Sequence, residues 1–320
     1  MLRFMGGRLV GSLIVLLVMS FVIYLLIGLM PGDPIDLMFQ ANPDLTSEDM
    51  ANLKSVYGLD QPLLSRYAAW LGNALQGDFG YSRTYRQPVL EVLGPRLVNT
   101  LWLMGISFVL SLSIAVPLGV IAAARAHGPV DFGVNVLALA GYSVPVFWLA
   151  LLLIYVFAVE LAWLPAGGSG AEAQGLWARA QYLVLPVASL TVTGLGAITR
   201  FTRSEMIEAL RQDYVRTARA KGLTRRRVIL RHAFRNAMIP VVTIVALGFG
   251  TLISGALVVE TIFGYLGMGK LMFDSIMSND YNVALVGLLI ATLLTLAGNL
   301  AADLAYALLD PRIRYGERPQ

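Results

Sequence analysis

The stretch EMIEALRQDYVRTARAKGLTRRRVILRHAFRNAMIP, Glu205 to Pro240, decides how this chain is read. It is a polar, strongly basic insert between two apolar runs, with Gly222 near its centre. In a chain that otherwise avoids charge, such an insert lies outside a bilayer and offers a handle to whatever grips the protein there. From Met206 to Ala220 the composition favours helix, Gly222 suits a left-handed stop, and Thr224 fits the cap of a second helix through Ala237. The pattern predicts a helix, a sharp bend and a helix. On the second arm Arg227, Arg231 and Arg235 recur at intervals of four, beside an apolar line of Leu230, Phe234 and Met238. Arg225, Arg226 and Arg227 crowd the first turn of that arm, where the helix dipole disfavours each by about 0.3–1 kcal/mol when exposed. Charge alone leaves three explanations open: an acidic partner, anionic lipid headgroups, or a solvated face.

Working outward, the 320 residues are 57% hydrophobic and 14% charged, with a mean hydropathy of +0.68, far more apolar than a soluble domain. A bilayer core about 30 Å thick needs roughly 20 apolar residues per helix. Uncharged runs of that order occur at Leu9–Met30, Leu97–Ala124, Phe132–Val159, Ala180–Thr199, Ala237–Val259 and Tyr281–Ala302. The expected fold is therefore an all-α polytopic membrane protein with six transmembrane helices. Most of the 24 Lys and Arg, including Arg3, Arg8, Arg125, the cluster from Arg200 to Arg235, and Arg312, Arg314 and Arg318, fall on one side if the N-terminus is inside. Basic residues resist translocation, so both termini and the basic hairpin are expected in the cytoplasm. The pI of 9.4 is then a topology signal and gives no reason to expect nucleic acid. The basic start before the first apolar run also resembles a signal peptide, but the run is long and MPGDP follows it without a small-x-small cleavage site; a retained first helix is expected.

The same sequence excludes several chemistries. With no cysteine there is neither a disulfide framework nor a thiolate metal site, and His127 and His232 alone cannot form a histidine metal cluster. No metal or cofactor is expected in this chain. GYLGMGKL, Gly264 to Leu271, nearly spells a phosphate-binding loop, but Leu271 stands where Ser or Thr would hold magnesium, and no strand precedes it. Its glycines are better suited to folding a short loop back across the helix ends.

Between Met30 and Arg96 lies a polar segment expected on the outer side. Thr46 with Asp49 fits a helix start and Gly58 its stop; Pro62 opens a second helical stretch through Trp70 to Gln76, closed by Gly77. Tyr57, Leu63, Tyr67, Trp70 and Leu71 supply it with an apolar face. The segment is either a cap over the helices or a docking surface. Pro117, Pro145 and Pro186 are expected to kink the second, third and fourth spans. In the fifth, Gly248, Gly250, Thr251, Ser254 and Gly255 place small residues on one face, where another helix can approach.

DYVRTARAKGL at Asp213 to Leu223, followed by RRRVILRHAFRNAMIPVVT, resembles the cytoplasmic loop of permease subunits from bacterial dipeptide and oligopeptide ABC importers. Arg216, Thr217 and Ala218 occupy the places of that loop's Glu-Ala-Ala signature, and its glycine is Gly222. The resemblance extends along the chain through MPGDP at Met30 to Pro34, YGLDQPL at Tyr57 to Leu63, GDFGYS at Gly77 to Ser82, SVPVFWLALLLI at Ser143 to Ile154 and ALLDPRIR at Ala307 to Arg314. One departure stands out: the family's Trp-Pro-Gly-Leu-Gly run in the outer loop is here Tyr265, Leu266, Gly267, Met268 and Gly269.

The resemblance implies a type I ABC importer permease fold in a bacterial inner membrane. It divides the chain into 1–30 with the first helix, an outward segment 31–96, a transmembrane core 97–309 containing a coupling hairpin 205–239, and a cytoplasmic tail 310–320. It implies partners as well: membrane lipid, a second homologous permease, an external substrate-binding protein, and two cytoplasmic ATPase subunits that hold the ATP and magnesium. On this pattern Tyr214, Arg216, Thr217, Ala218, Arg219, Ala220, Lys221, Gly222 and Leu223 form the ATPase-coupling site, and the chain itself is not an enzyme. Charge near hydrocarbon is expensive and usually functional, so Glu260, near the outer end of the fifth span, joins Gly264, Gly267 and Gly269 as a candidate outer gate. Asp303, one turn beyond Asn299, is expected to help pin the sixth helix. The implied cargo is a short peptide, with nickel, glutathione or sugar conjugates as alternatives within the class. A secondary carrier driven by ion gradients is the rival from another class. It lacks support from buried carboxylate or histidine relays or from an evident inverted repeat.

Overall fold

The computed structural model describes residues 2–29, 46, 61–170, 173 and 175–309. The MPGDP motif, Asp49 and Gly58 of the expected helix start and stop, most of the YGLDQPL run and the end of ALLDPRIR lie outside the described residues, as do the side chains of the small-residue stripe 248–255. Apart from one antiparallel bridge between Tyr81 and Pro88, every regular element among the described residues is helical.

The helices are α1 (Leu2–Gly28), α2 (Leu63–Leu75), α3 (Val89–Ala124), α4 (Pro129–Ser143), α5 (Val146–Leu153, continued by a π-helical turn, Ile154–Glu160), α6 (Leu176–Arg211), α7 (Asp213–Ala220), α8 (Phe234–Ile262), α9 (Met268–Met277) and α10 (Tyr281–Leu309). Four contain stretches long and apolar enough to cross a bilayer, Gly6–Gly28, Val89–Ala124, Leu176–Arg211 and Tyr281–Ala301; α4 with α5 makes five if that pair is one span. α1 shows why lipid is the solvent: Leu9, Val10, Leu13, Ile14, Leu17 and Val18 are all exposed, a surface that water would drive into association. α8, a further 29 residues, runs through Pro240.

Three boundaries differ from the sequence expectation. α3 begins at Val89, inside the segment assigned to the outer side, and α6 reaches from Leu176 to Arg211, well beyond Ala180 to Thr199. Both have 36 residues, about 54 Å at 1.5 Å per residue, so each outreaches a bilayer core. The third run is two helices that meet at 98°. Pro145 is the cause: it forces Val144 out of helical geometry (ψ 123°) and itself caps α5 with ψ 136°. By contrast, the helix continues through Pro117 and Pro186.

The chain divides into two compact units, Met1–Leu97 with Leu271–Leu293 and Val98–Lys270 with Leu294–Gln320. In the first, Ile23 and Ile27 of α1 are buried with Ala284 and Leu285 of α10. α2 adds its aromatic face: Tyr67 lies edge-on to Phe21 at 5.2 Å, and its hydroxyl is 2.7 Å from that of Ser20. Pro62 precedes this helix and Gly77, at φ 87°, follows it, as expected from the sequence.

In the second unit α6 is the central helix, packed on α4 and α8. Small residues let the backbones close in. A Cβ on Gly141 would sit 2.9 Å from the Val192 carbonyl, and one on Gly119 2.8 Å from that of Thr199. Ser111 of α3 donates to the Thr191 carbonyl at 3.2 Å. One apolar core joins Leu103, Leu190, Val259, Phe263 and Tyr265; a second joins Ala123, Met206, Ala209, Val215, Ala218, Val228, Ala233 and Ala237.

Candidate functional sites: a basic hairpin and a carboxylate-held loop

The basic insert folds as a hairpin on the second core. α6 ends at Arg211, Gln212 is extended (ψ 151°), and α7 runs from Asp213 to Ala220. Gly222 then adopts φ 73°. The Gly222 N–H donates to the Arg219 carbonyl at 2.9 Å and the Leu223 N–H to that of Ala218 at 3.3 Å, the paired bonds of a Schellman stop. No atom outside its immediate neighbours lies within 4 Å of where a Gly222 Cβ would be, so glycine is needed for its backbone alone. Thr224 precedes the turn Arg225–Arg227, which leads through π-helical Val228–Ala233 into α8.

The predicted coupling residues divide between two faces. Tyr214, Arg216, Thr217, Arg219, Ala220, Lys221 and Gly222 are exposed. Ala218, only 5% exposed, points into the hairpin's own core beside Val215, with Leu223 packed against the same cluster. Its small size therefore fits the hairpin's own packing. Of the apolar line expected at Leu230, Phe234 and Met238, the last two are half-buried against this cluster, and Leu230 alone departs. The buried line is Val228, Ala233, Ala237 and Val241, while Leu230 is 52% exposed. The π-helical turn advances the buried position by five residues, from 228 to 233, before the spacing of four resumes.

Two polar attachments join the hairpin to the corner between α3 and α4. Arg225 donates to the Ala124 carbonyl. Arg203 on α6 forks onto Asp131 at the start of α4, Nε to Oδ1 at 2.5 Å and Nη2 to Oδ2 at 2.7 Å. The sequence gives no local sign of that pair: Arg203 reads as one more inner-side charge, and its partner is 72 residues away.

At the other end of α8, Glu260 is fully buried. Thr100 of α3 donates to its Oε1 at 2.5 Å, and the Lys270 N–H donates to its Oε2 at 3.0 Å. The Thr100 hydroxyl in turn accepts the Met268 N–H at 2.8 Å. Both N–H groups belong to the first turn of α9, where unpaired donors and the helix dipole favour an anion. The stretch that imitates a phosphate-binding loop thus presents its helix start to the protein's own carboxylate. Gly267 and Gly269 make that possible. A Cβ on Gly267 would fall on the Glu260 carboxyl group, and one on Gly269 would lie 2.6 Å from Leu257 Cα. Gly264 takes φ 59° to turn the chain out of α8.

Asn99 completes the clasp by donating to the Leu266 carbonyl at 2.8 Å, while its own carbonyl accepts from the Tyr265 hydroxyl at 3.3 Å. Polar ties from α3 hold the loop where the family pattern has a proline. Burial pushes the Tyr265 phenol up to about 12, and the neighbouring Glu260 adds to the rise. The structure therefore brings Glu260, Gly267 and Gly269 together, and adds Asn99 and Thr100, which no local motif marks.

In the first unit the GDFGYS motif ends in a comparable arrangement. Asp280, 1% exposed, accepts from the Ser82 hydroxyl at 2.5 Å and the Thr84 N–H at 3.0 Å. Asn282 donates to the Tyr81 carbonyl at 3.0 Å, and Arg83 donates to that of Ser278.

The family described as binding-protein-dependent transport system inner membrane component matches residues 115–315, and its N-terminal membrane-component family matches residues 1–104. The oligopeptide transport system permease protein AppB of Bacillus subtilis (strain 168) is 40% identical over 311 residues, 96% of this chain and 98% of that protein. The glutathione transport system permease protein GsiC of Escherichia coli (strain K12) is 38% identical over 315 residues, 98% of this chain and 100% of that one. A solved structure described as inward facing conformations of the MetNI methionine ABC transporter shares the fold, with a TM-score of 0.58 at 17% identity over 69% of this chain and 97% of that chain. With a family match over more than half its length and relatives near 40% identity along almost all of it, the chain belongs to the binding-protein-dependent transport system inner membrane components.

Proposed function

We propose that this permease subunit works in an ATP-driven importer that carries short peptides into the cytoplasm, and that the tip of its hairpin receives the movement of a separate ATPase. The observation that carries this reading is the division of α7 into two faces. Val215 and Ala218 anchor it inward, while Tyr214, Arg216, Arg219 and Lys221 stand exposed around a left-handed glycine. An exposed cationic rim on a packed base suits an acidic groove on a partner. Two ATPase subunits would hold the ATP and magnesium, and a second permease and an external binding protein would complete the complex.

Six spans, both termini in the cytoplasm and an outward segment after α1 are the topology of this proposal, supported by the concentration of Lys and Arg on one side. The loop held by Glu260 then lies at the outer end of α8 and serves as the outer gate. Peptide cargo is favoured by the AppB likeness, and glutathione, itself a short peptide, by the GsiC likeness. The test is purification of the chain from its native membrane in mild detergent, then reconstitution with the binding protein and a labelled tripeptide. Co-elution of ATP-hydrolysing subunits and ATP-dependent uptake are expected; uptake by the lone chain, driven by an ion gradient, would overturn the proposal.

A further inference from the structure

The Asp131 carboxylate has more partners than a surface ion pair. Beyond the Arg203 fork, Oδ1 accepts from Asn135 Nδ2 at 2.8 Å and Oδ2 from the His127 N–H at 2.8 Å. Each oxygen thus has two donors, and the residue is 3% exposed. The His127 bond holds a non-glycine residue at φ 66°, so the same carboxylate also fixes the turn that enters α4. Arg203 stands on the stem of α6 just before the hairpin core.

This pair is one of three attachments between the hairpin and the α3–α4 corner. Arg225, on the second arm, grips the Ala124 carbonyl, and the neighbouring Ala123 is buried with Met206, Ala209 and Val215. The attachments therefore bracket the exposed tip from both arms. A buried ion pair gives little net stability relative to well-packed apolar residues, but removing one partner is costly, and a two-pronged fork fixes position as an apolar contact does not.

We propose that Asp131 and Arg203 are positioning residues of the transport cycle: the pair stays closed throughout and makes the hairpin stem and the α3–α4 corner one rigid strut, which delivers the tip's displacement to the membrane helices. The proposal rests on the reading in which the hairpin receives movement from an ATPase. It is tested in the complete importer in proteoliposomes, by tripeptide transported per ATP hydrolysed. Asp131→Asn and Arg203→Lys, which keeps charge but loses the fork, are expected to lower that ratio about tenfold in the complexes that assemble, with their rate of hydrolysis nearly unchanged. The chain has no cysteine, so Asp131→Cys with Arg203→Cys can be joined by a short bifunctional thiol reagent once any cysteines of the partner subunits are replaced. Joining is expected to raise the ratio above that of the unjoined double variant. Wild-type ratios in the single variants, or loss of transport on joining, would overturn the strut; absence of ATP-dependent transport in the wild type would instead overturn the coupling reading. If Asp131→Asn fails to assemble, Arg203→Lys and the joined variant still decide.

Discussion

At position 267 a single methyl group has nowhere to go, because the Glu260 carboxyl group occupies the place of a Cβ. Gly267→Ala must move that carboxyl group away from Thr100 and Lys270, and crowding of this kind costs about 1–3 kcal/mol. Glu260→Ala relieves the crowding but leaves the Thr100 hydroxyl and the Lys270 N–H without their acceptor, at about 1–3 kcal/mol for each orphaned group. Both variants are expected to unfold at lower temperature in detergent than the parent. Combining them should cost less than the sum, since the alanine at 260 empties the space that the methyl at 267 needs. Strict additivity in the double variant would separate Gly267 from Glu260. Gly264, Gly267 and Gly269 are legible in the sequence as loop formers, but the group they make room for is not. Thr100 lies 160 residues from Glu260, and no periodicity connects residues so far apart.

Among the elements, the ones with local punctuation could be read directly. Pro62 and Gly77 bound α2, and Gly222 ends α7, because those backbone positions ask for a fixed φ or a positive one. The break at Gln212 has no such mark and divides what the composition presents as one helix. The π-helical turn at Val228–Ala233 has no compositional signature either, so a four-residue spacing places Phe234 and Met238 on the packed side but misplaces Leu230. That difference separates two substitutions on α7. Gly222→Leu meets open space but is held at φ 73°, at about 1–2 kcal/mol of strain; the complex should assemble, hydrolyse ATP and transport poorly. Ala218→Trp forces an indole into the hairpin core and should lower the melting temperature and the yield of complex. Comparison of hydrolysis, transport and melting in the two variants checks the assignment, and normal uptake in Gly222→Leu would remove the bend from the mechanism.

For the whole molecule, topology is the claim with the widest reach. Protease added to the outside of sealed cells is expected to cut within 46–86 and to spare 216–235, where exposed Arg and Lys residues make α7 and its flanks an obvious target from the other side. Cleavage of the hairpin in intact cells would invert the arrangement. Composition made the lipid environment legible, since so much apolar surface has no other solvent. The 98° meeting of α4 and α5 was less visible: an apolar run registers length, whereas a path through space depends on where Pro145 breaks it. The two candidate sites are connected by α8, which carries the hairpin's second arm at one end and Glu260 at the other. Its angular phase is set by the turn at 228–233, which holds one surplus residue relative to an α-helical path. Excising Leu230 would remove that surplus and let the turn close as α-helix with the phase of α8 kept, whereas excising Asn236, inside regular helix, would rotate everything beyond it by about 100°, swinging the carboxylate away from Thr100 while both ends remained chemically intact. The relative orientation of the two ends is thus written into chain length, and this pair of deletions probes it more directly than any replacement of a side chain.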